Sequence, residues 1–378
     1  MNTDSDSGIV AANGQDAQQN FVSPPRAKAR AHLADLTAAR ALFALWVFAY
    51  HLNLQLFAAE PFGALTPVLR RGYLGVDAFF ILSGLILAHA HPGLGPNPAS
   101  WRRFALRRLL RIYPVHIAVM ALLAAWLSVA ALAGLAPRDP GRFSAREAGL
   151  HLALLHGWGI SDRWAWNYPS WSISSEWAGY LLFPLLWWQA RRLATTTALV
   201  LLLLLVPGLA LVEAGGGGMR LNLTFHGALP RFFCEFAAGI LLARLLTAPS
   251  PFPRAAWLAA AGGLLLLAGI VLVRDTLAVA GLALLLAALY RNALAGSAPW
   301  LARLPGALFL GTVSYAFYMS FAPVEALLAA GFRRAALPPA EAPALYALLA
   351  TGLTFALAVA LWRGVEQTSQ RLLGPRIG

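Results

Sequence analysis

Long runs of apolar residues, separated by short polar or arginine-rich stretches, follow one another along almost the whole chain after residue 33. Most runs approach roughly 20 residues, the length that an α-helix needs to cross the hydrocarbon core of a bilayer. We therefore predict an all-α polytopic membrane protein, a bundle of about ten transmembrane helices. The predicted spans are residues 36–57, 73–91, 112–135, 171–190, 195–213, 228–247, 256–273, 276–291, 305–330 and 343–363.

The composition excludes an ordinary soluble domain. Hydrophobic residues make up 59% of the 378 positions, charged residues only 12%, and the mean hydropathy is +0.63, values typical of a membrane protein. We expect residues 1–32 to be a flexible polar cytoplasmic tail, because they lack the apolar core of a signal peptide. Residues 33–373 are then the transmembrane domain, and residues 374–378 a C-terminal tail.

The positive charge predicts the orientation in the membrane. The formal net charge is +13, and many of the arginines lie between apolar runs, most densely at 92–111 and again at 191–194. Because basic connections stay on the cytoplasmic side, we expect a multi-pass inner-membrane protein with both termini in the cytoplasm. We predict no nucleic-acid partner, since no aromatic–basic binding motif accompanies the charge.

Arg40 and His51 lie inside the first apolar run, where a bilayer disfavours ionisable side chains. Their spacing of eleven residues puts both on one helix face, about 16 Å apart along the axis. Ionisable groups at such depth usually face a cavity and serve function, so we predict a site for a long anionic ligand, with Arg40 as a clamp and His51 as a base. The structural alternative is an Arg40 that snorkels to the inner surface and a His51 that is satisfied near the outer one.

The second span carries Asp77 and Ser83 as polar positions in an aromatic run. They are candidate cavity or acceptor residues, and a tightly packed helix with a capping Asp77 is an equal alternative. His89 and His91 follow at its inner end. We predict no metal site, because these two histidines lack further clustered ligands.

Arg108 and Arg111 are three residues apart, so they face the same way on a helix. They form a fork suited to bidentate contacts with phosphate, and we predict that they bind an anionic donor. The alternative is anchoring at the cytoplasmic surface, which is our interpretation of Arg102 and Arg103.

The fourth span has a polar stripe, in which Ser172, Glu176 and Tyr180 recur every four residues. A carboxylate at this depth needs a partner, for which His51 or an arginine is the natural candidate. Glu235 is a second acid within an apolar run. We predict that these residues line a cavity or bind the acceptor, with Glu176 also a candidate catalytic residue.

The order of these motifs resembles that of the acyltransferase-3 family of integral membrane O-acyltransferases. The resemblance covers about residues 33–373 and rests on Arg40 with His51, GVDAFFILSG at 75–84, Arg108-Leu109-Leu110-Arg111-Ile112-Tyr113-Pro114, PSWSISSEW at 169–177, RFFCEFAAG at 231–239, Ser314-Tyr315-Ala316-Phe317-Tyr318, and Val365-Glu366. It implies a ten-helix bundle that transfers an acyl group, often acetyl from acetyl-CoA, to a hydroxyl of a sugar or another acceptor. We expect a stand-alone member without an esterase-like domain.

The resemblance also implies roles for individual residues. Arg40, Arg108 and Arg111 would hold the phosphates of acyl-CoA, a co-substrate rather than a tightly bound cofactor. His51 would act as general base on the acceptor hydroxyl, with direct transfer and an acyl-histidine intermediate both open. Glu176 would orient His51 or bind the acceptor. Two tyrosines of the late motif join the candidate cavity residues: Tyr315 and Tyr318.

One departure concerns the position three residues after Tyr318, where the family commonly has histidine and this chain has Phe321. A role of that histidine is either absent here or taken by another residue. The competing class is a polytopic transporter or channel for an anionic solute, although no inverted repeat is visible in the sequence. The acceptor, whether cell-surface polysaccharide, lipopolysaccharide, lipid-linked sugar or secondary metabolite, and the oligomeric state stay open.

Overall fold

The computed structural model describes residues 33–56, 62–134, 139–247 and 254–377. The predicted tail at 1–32 lies outside these ranges. Helix accounts for 83% of the structure, and the described residues include no strand. The prediction of an all-α protein is therefore confirmed.

Each predicted span overlaps one helix of 16 residues or more within the described ranges, and the helix of the third span begins at Pro98, fourteen residues before the predicted start at 112. We number these helices in chain order. They are α1 Ala34–Gln55, α2 Gly75–Ala90, α3 Pro98–Leu132, α4 Trp171–Ala190, α5 Thr195–Gly215, α6 Ala228–Thr247, α7 Ala255–Val271, α8 Asp275–Leu294, α9 Ala307–Arg334 and α10 Pro343–Leu361.

Six helical stretches among the described residues are long and apolar enough to cross a membrane. They are Gly63–Ala90, Pro98–Leu132, Thr195–Gly215, Asp275–Leu294, Ala307–Arg334 and Pro343–Leu373. These stretches support a multi-pass membrane protein, whereas the count of about ten crossings is not confirmed. Four of the ten helices lie outside this set. The helix α7 is apolar but has only 17 residues. The other three carry ionisable side chains, which lower the hydropathy of a helix: Arg40 and His51 in α1, Glu176 in α4, and Arg231 and Glu235 in α6.

Glycines bring the central helices into close contact. A Cβ added at Gly311 of α9 would lie 1.9 Å from the carbonyl oxygen of Thr37 in α1. The same holds between α2 and α6, where a Cβ at Gly84 would lie 2.1 Å from the oxygen of Phe236. Only glycine allows these approaches, so the backbones of α1 and α9, and of α2 and α6, pack directly.

A fully buried ion cluster joins α2 to α6. Arg231 Nε donates to Asp77 Oδ1 at 2.9 Å and lies 3.8 Å from Glu235 Oε1. None of the three side chains is more than 1% exposed. Asp77 and Glu235, predicted as cavity or acceptor residues, line none of the three cavities described below; in this structure they flank the guanidinium of Arg231 in the packed core, where a buried charge requires a partner.

The connection between α3 and α4 folds back onto the bundle. It contains a short helix, Ala145–Leu152, and a single turn, Tyr168–Ser170, that leads into α4. Ser170 Oγ lies 2.9 Å from His156 Nε2, and His116 Nε2 of α3 lies 2.9 Å from the carbonyl oxygen of His151. These buried contacts fix the position of the turn that carries Tyr168.

Candidate functional site

A cavity of about 110 Å³ lies among α1, α2, α3, α4 and α9, at the end of the bundle where α1 and α9 begin. We call it the arginine cavity. It is lined by Arg40, Phe79, Leu82, Ser83, Ile86, Leu87, Arg108, Arg111, Ile112, Glu176, Tyr180 and Tyr315. The structure therefore brings the three predicted donor-binding arginines together with four of the other predicted site residues.

The guanidinium groups of this cavity differ in how far they are satisfied. Arg111 pairs with Glu366 and lies over the ring of Tyr315, with 5.7 Å to the centroid. Arg40 Nε donates to Ser314 Oγ at 3.2 Å. The buried Nε of Arg108 has no hydrogen-bond partner within the described structure. Unused donors of this kind are available to an anionic ligand, for which guanidinium is well suited.

Glu176 belongs to the arginine cavity rather than to His51. It is the one carboxylate in the lining, and Tyr180 donates its hydroxyl to Glu176 Oε2 at 3.0 Å. The hypothesis that Glu176 orients His51 does not agree with these contacts. About three helical turns separate the levels of Arg40 and His51 on α1, and Glu176 lines the same cavity as Arg40.

His51 lies at the other end of α1, beside a narrow cavity that we call the His51 cavity. Its Nδ1 is 3.0 Å from the hydroxyl of Tyr168, and that hydroxyl donates to Glu325 Oε2 at 2.7 Å. Gln55 donates its amide to the other oxygen of Glu325. The ring of Phe321 packs against the imidazole at 4.7 Å between centroids.

Tyr168 and Glu325 were not among the site residues predicted from the sequence. A signal for Glu325 was present, because it is an acid within a long apolar helix, the same feature that singled out Glu176 and Glu235. Tyr168 directly precedes Pro169, the first residue of a motif recognised in the sequence. Sequence position alone does not show that this tyrosine joins α1 to α9.

Ser172 and Tyr318 do not line the arginine cavity or the His51 cavity. Ser172 Oγ donates to the hydroxyl of Tyr318 at 3.1 Å, and Tyr318 donates to the carbonyl oxygen of Pro169 at 2.8 Å. Both side chains are buried. The predicted cavity or acceptor role of these two residues stays a prediction; in this structure their contacts join the turn beside Tyr168 to α9.

A third cavity, of about 650 Å³, adjoins the His51 end of α1, and we call it the large cavity. It shares Gln55 and Tyr346 with the lining of the His51 cavity. The remaining lining residues are Trp126, Leu127, Ala130, Asp139, Arg142, Phe143, Ala326, Ala329, Ala330, Phe332, Arg333, Ala336, Leu337, Pro338 and Pro339. Its volume falls in the usual range of pockets for small molecules, roughly 300–1,000 Å³.

The arginine cavity and His51 offer two kinds of chemistry. No group of three or more His, Cys, Asp or Glu residues suited to a metal ion occurs in the ranges that the structure describes. The guanidiniums of the arginine cavity are suited to contacts with phosphate, and the imidazole of His51 has a ring nitrogen that can accept a proton. Arg40 and His51 lie on one helix, about 16 Å apart along its axis.

Comparison with known proteins gives two kinds of match. Residues 33–363 match the model of the acyltransferase domain of the acyltransferase-3 family. The chain is also 34% identical over 183 residues to acyltransferase MdmB of Streptomyces mycarofaciens, covering 44% of each protein. It is 34% identical over 92 residues to protein 2 in the picA locus of Rhizobium radiobacter, covering 24% of this chain and 44% of that protein. The matched segments span less than half the length of these curated relatives, and no solved structure matches.

Proposed function

The chain belongs to the acyltransferase-3 family, and on that premise we propose that it is a membrane-bound O-acyltransferase. It moves an acyl group, in the simplest case acetyl, from acyl-CoA to a hydroxyl of a sugar or cell-surface glycan. The observation that carries the proposal is the pairing of the arginine cavity with a hydrogen-bonded His51 at the two ends of α1.

The arginine cavity receives the phosphates of the donor. Arg40, Arg108 and Arg111 outnumber the one carboxylate of the lining, Glu176, so the cavity favours an anion. The planar forks of arginine match phosphate oxygens in pairs. The distance of about 16 Å between Arg40 and His51 along the helix is comparable to an extended pantetheine arm, which brings the thioester towards His51.

Transfer at His51 follows general-base chemistry. The free Nε2 takes the proton of the acceptor hydroxyl as its oxygen attacks the thioester carbonyl carbon. The new C–O bond forms, the C–S bond breaks, and the thiolate of CoA leaves and receives the proton from His51. The products are the acyl ester and free CoA. No other reactant is needed.

The acceptor enters from the large cavity. This cavity adjoins the His51 cavity through Gln55 and Tyr346. Its lining combines aromatic rings, such as Trp126 and Phe143, with charged groups such as Arg142. Rings and a few polar groups of this kind suit the alternating apolar and hydroxyl surfaces of a sugar.

The test is mass spectrometry of glycans and metabolites from a strain that lacks the gene. The deletion should remove one acyl mass from one product. The wild-type gene should restore it, and the His51→Ala gene should not, although the variant protein reaches the membrane. A complete acyl pattern combined with lost uptake of an anionic solute would overturn the proposal in favour of a transporter.

A further inference from the structure

We infer that Glu325, acting through Tyr168, orients His51 and balances its charge during transfer. Glu325 and Tyr168 are positioning residues in this account, since neither touches the reacting atoms. The inference rests on the proposed function of His51 as a base. It is carried by one continuous hydrogen-bonded chain across three separate elements, α1, the turn before α4, and α9.

The protons along this chain can be assigned from the donors and acceptors present. The hydroxyl of Tyr168 carries one proton, and it lies 2.7 Å from Glu325 Oε2 and 3.0 Å from His51 Nδ1. With Glu325 ionised, as the inference requires, the carboxylate can only accept, so the phenolic proton belongs to the bond with Glu325. His51 Nδ1 must then carry a proton and donate it to the oxygen of Tyr168. This tautomer leaves Nε2 with the lone pair that a base requires.

The carboxylate of Glu325 also stabilises the positive charge that develops on His51. When Nε2 accepts a proton, the ring becomes a cation, and the negative charge of Glu325 is only one hydroxyl away. In a site of low dielectric such a pair is worth more than in water. The arrangement performs the task of the acid in a Ser-His-Asp triad, which holds the tautomer and stabilises the imidazolium without taking the proton. Here a phenol stands between the acid and the imidazole.

The surrounding structure holds Tyr168 in this position. The preceding residue, Asn167, donates its amide to the carbonyl oxygen of Met319 in α9 at 3.4 Å. The following residue, Pro169, accepts from Tyr318, also in α9. Both neighbours of Tyr168 are therefore bonded to the helix that carries Glu325. Such support fixes the catalytic geometry before the substrate binds. The entropic cost of ordering these side chains is then not part of the reaction barrier.

The position of Glu325 on α9 accounts for Phe321. The two residues are four apart, so they lie on one face of the helix. Phe321 packs its ring on the imidazole of His51 but can neither donate nor accept a proton there. Glu325 reaches the imidazole from the next turn through Tyr168. The polar partner that Phe321 cannot provide is thus supplied one turn later.

The test compares two variants that each break one bond of the chain, Tyr168→Phe and Glu325→Gln. Each should lower single-turnover transfer about 10- to 100-fold, the range for loss of a charge-assisted hydrogen bond, while the KM for acyl-CoA stays the same. Normal donor binding also shows that the variant is folded. The matched control is Tyr50→Phe, because Tyr50 keeps its ring against His51 at 5.1 Å and its hydroxyl bonds to Asn222 instead. This control should transfer at the wild-type rate.

A second arm separates this inference from the proposed function. We call the hydrogen-bonded chain from Glu325 through Tyr168 to His51 the relay. In a His51→Ala background, adding Tyr168→Phe should cause no further loss of transfer activity, since the relay then has no base to act on. An additional loss of tenfold or more would overturn the relay. If His51→Ala is inactive while Tyr168→Phe and Glu325→Gln turn over normally, the relay is wrong and the function of His51 stands. If His51→Ala itself is fully active, the proposed function fails first.

A third measurement needs no variant of the relay. Nitrogen NMR of histidine-labelled protein, with the His51 signals identified by their loss in His51→Ala, reports which ring nitrogen carries the proton. If Glu325 orients His51 through Tyr168, the resting protein carries a proton on Nδ1 of His51 and none on Nε2. A proton on Nε2 with a bare Nδ1 would contradict it.

Discussion

At the scale of single residues, Glu176 is the side chain whose role the structure changes most. It shares the arginine cavity with Arg40 and Arg108 and bonds to Tyr180. We expect Glu176→Gln to lower the KM for acyl-CoA about tenfold, a gain that corresponds to about 1.4 kcal/mol. The reason is that the carboxylate repels the phosphates of the donor and offsets part of the positive charge of the three arginines, and the neutral amide does neither. Single-turnover transfer at saturating donor should change little.

The measurement is steady-state kinetics together with donor binding in nanodiscs. A fall in the transfer step with an unchanged donor KM would mean that Glu176 acts on His51 after all. Leu182→Ala, an exposed change on the same helix, serves as the control for α4 and should leave both parameters at wild-type values.

The gathering of Arg40, Arg108 and Glu176 in one cavity could be predicted from the sequence. Each is an ionisable residue at a depth where only an internal site tolerates charge. The relay could not be predicted in the same way, because Tyr168 and Glu325 are 157 residues apart. Their contact depends on how the turn before α4 meets α9, which hydrophobic patterning does not determine.

The buried acids Asp77 and Glu235 show that an acid in an apolar helix does not always line a cavity. The rule that predicts a cavity for an intramembrane acid applies equally when the partner is another side chain. Arg231, four residues before Glu235, was visible in the sequence as such a partner. The close approach of α2 and α6 at Gly84 places Asp77 against it. In this cluster the carboxylates pack against a guanidinium rather than line one of the described cavities.

At the scale of helices, the contact between α1 and α9 sets the geometry of both ends of the site. Gly311 allows this contact, since a Cβ there would overlap the carbonyl oxygen of Thr37 at 1.9 Å. We expect Gly311→Ala to force the two helices apart, lower the thermal stability of the purified protein, and reduce transfer by tenfold or more. Overpacking in a close-packed interior typically costs about 1–3 kcal/mol.

The matched control is Gly352→Ala in α10, where an added Cβ has no neighbour within 4 Å. Alanine is the better helix former, so this variant should be at least as stable as the wild type and fully active. Thermal unfolding followed by light scattering compares the two. Equal stability of both variants would show that the contact at Gly311 tolerates a methyl group.

Helix positions followed closely from the lengths of the apolar runs, because a helix buried in a bundle or a bilayer must be apolar over most of its length. The number of membrane crossings could not be read from the lengths of the apolar runs in the same way. The helices α1, α4 and α6 carry charged residues in place of apolar ones. Side chains of the site on α1 and α4, and the buried pair Arg231 and Glu235 on α6, therefore weaken the hydropathy signal of these helices.

At the scale of the whole molecule, the side of the membrane on which residue 95 lies tests whether α1 crosses. If both α1 and α2 cross, the N-terminus and residue 95 lie on the same side, which the basic 92–111 segment predicts to be cytoplasmic. If the crossing stretches are only the six apolar ones, a single crossing separates the N-terminus from residue 95. We expect reporter fusions at both positions to report cytoplasm, and opposite reports would contradict a crossing α1.

The most direct test of the account separates the two ends of α1 by the step that each controls. Arg40→Ala should weaken acyl-CoA binding about ten- to a hundred-fold and leave single-turnover transfer at saturating donor nearly unchanged. Arg40→Lys should lie between, because it keeps the charge but loses the planar fork that bonds Ser314. His51→Ala should bind acyl-CoA normally and transfer roughly 10²–10⁴-fold more slowly. Normal donor binding by Arg40→Ala, or normal transfer by His51→Ala, would contradict the model in which the donor lies along α1.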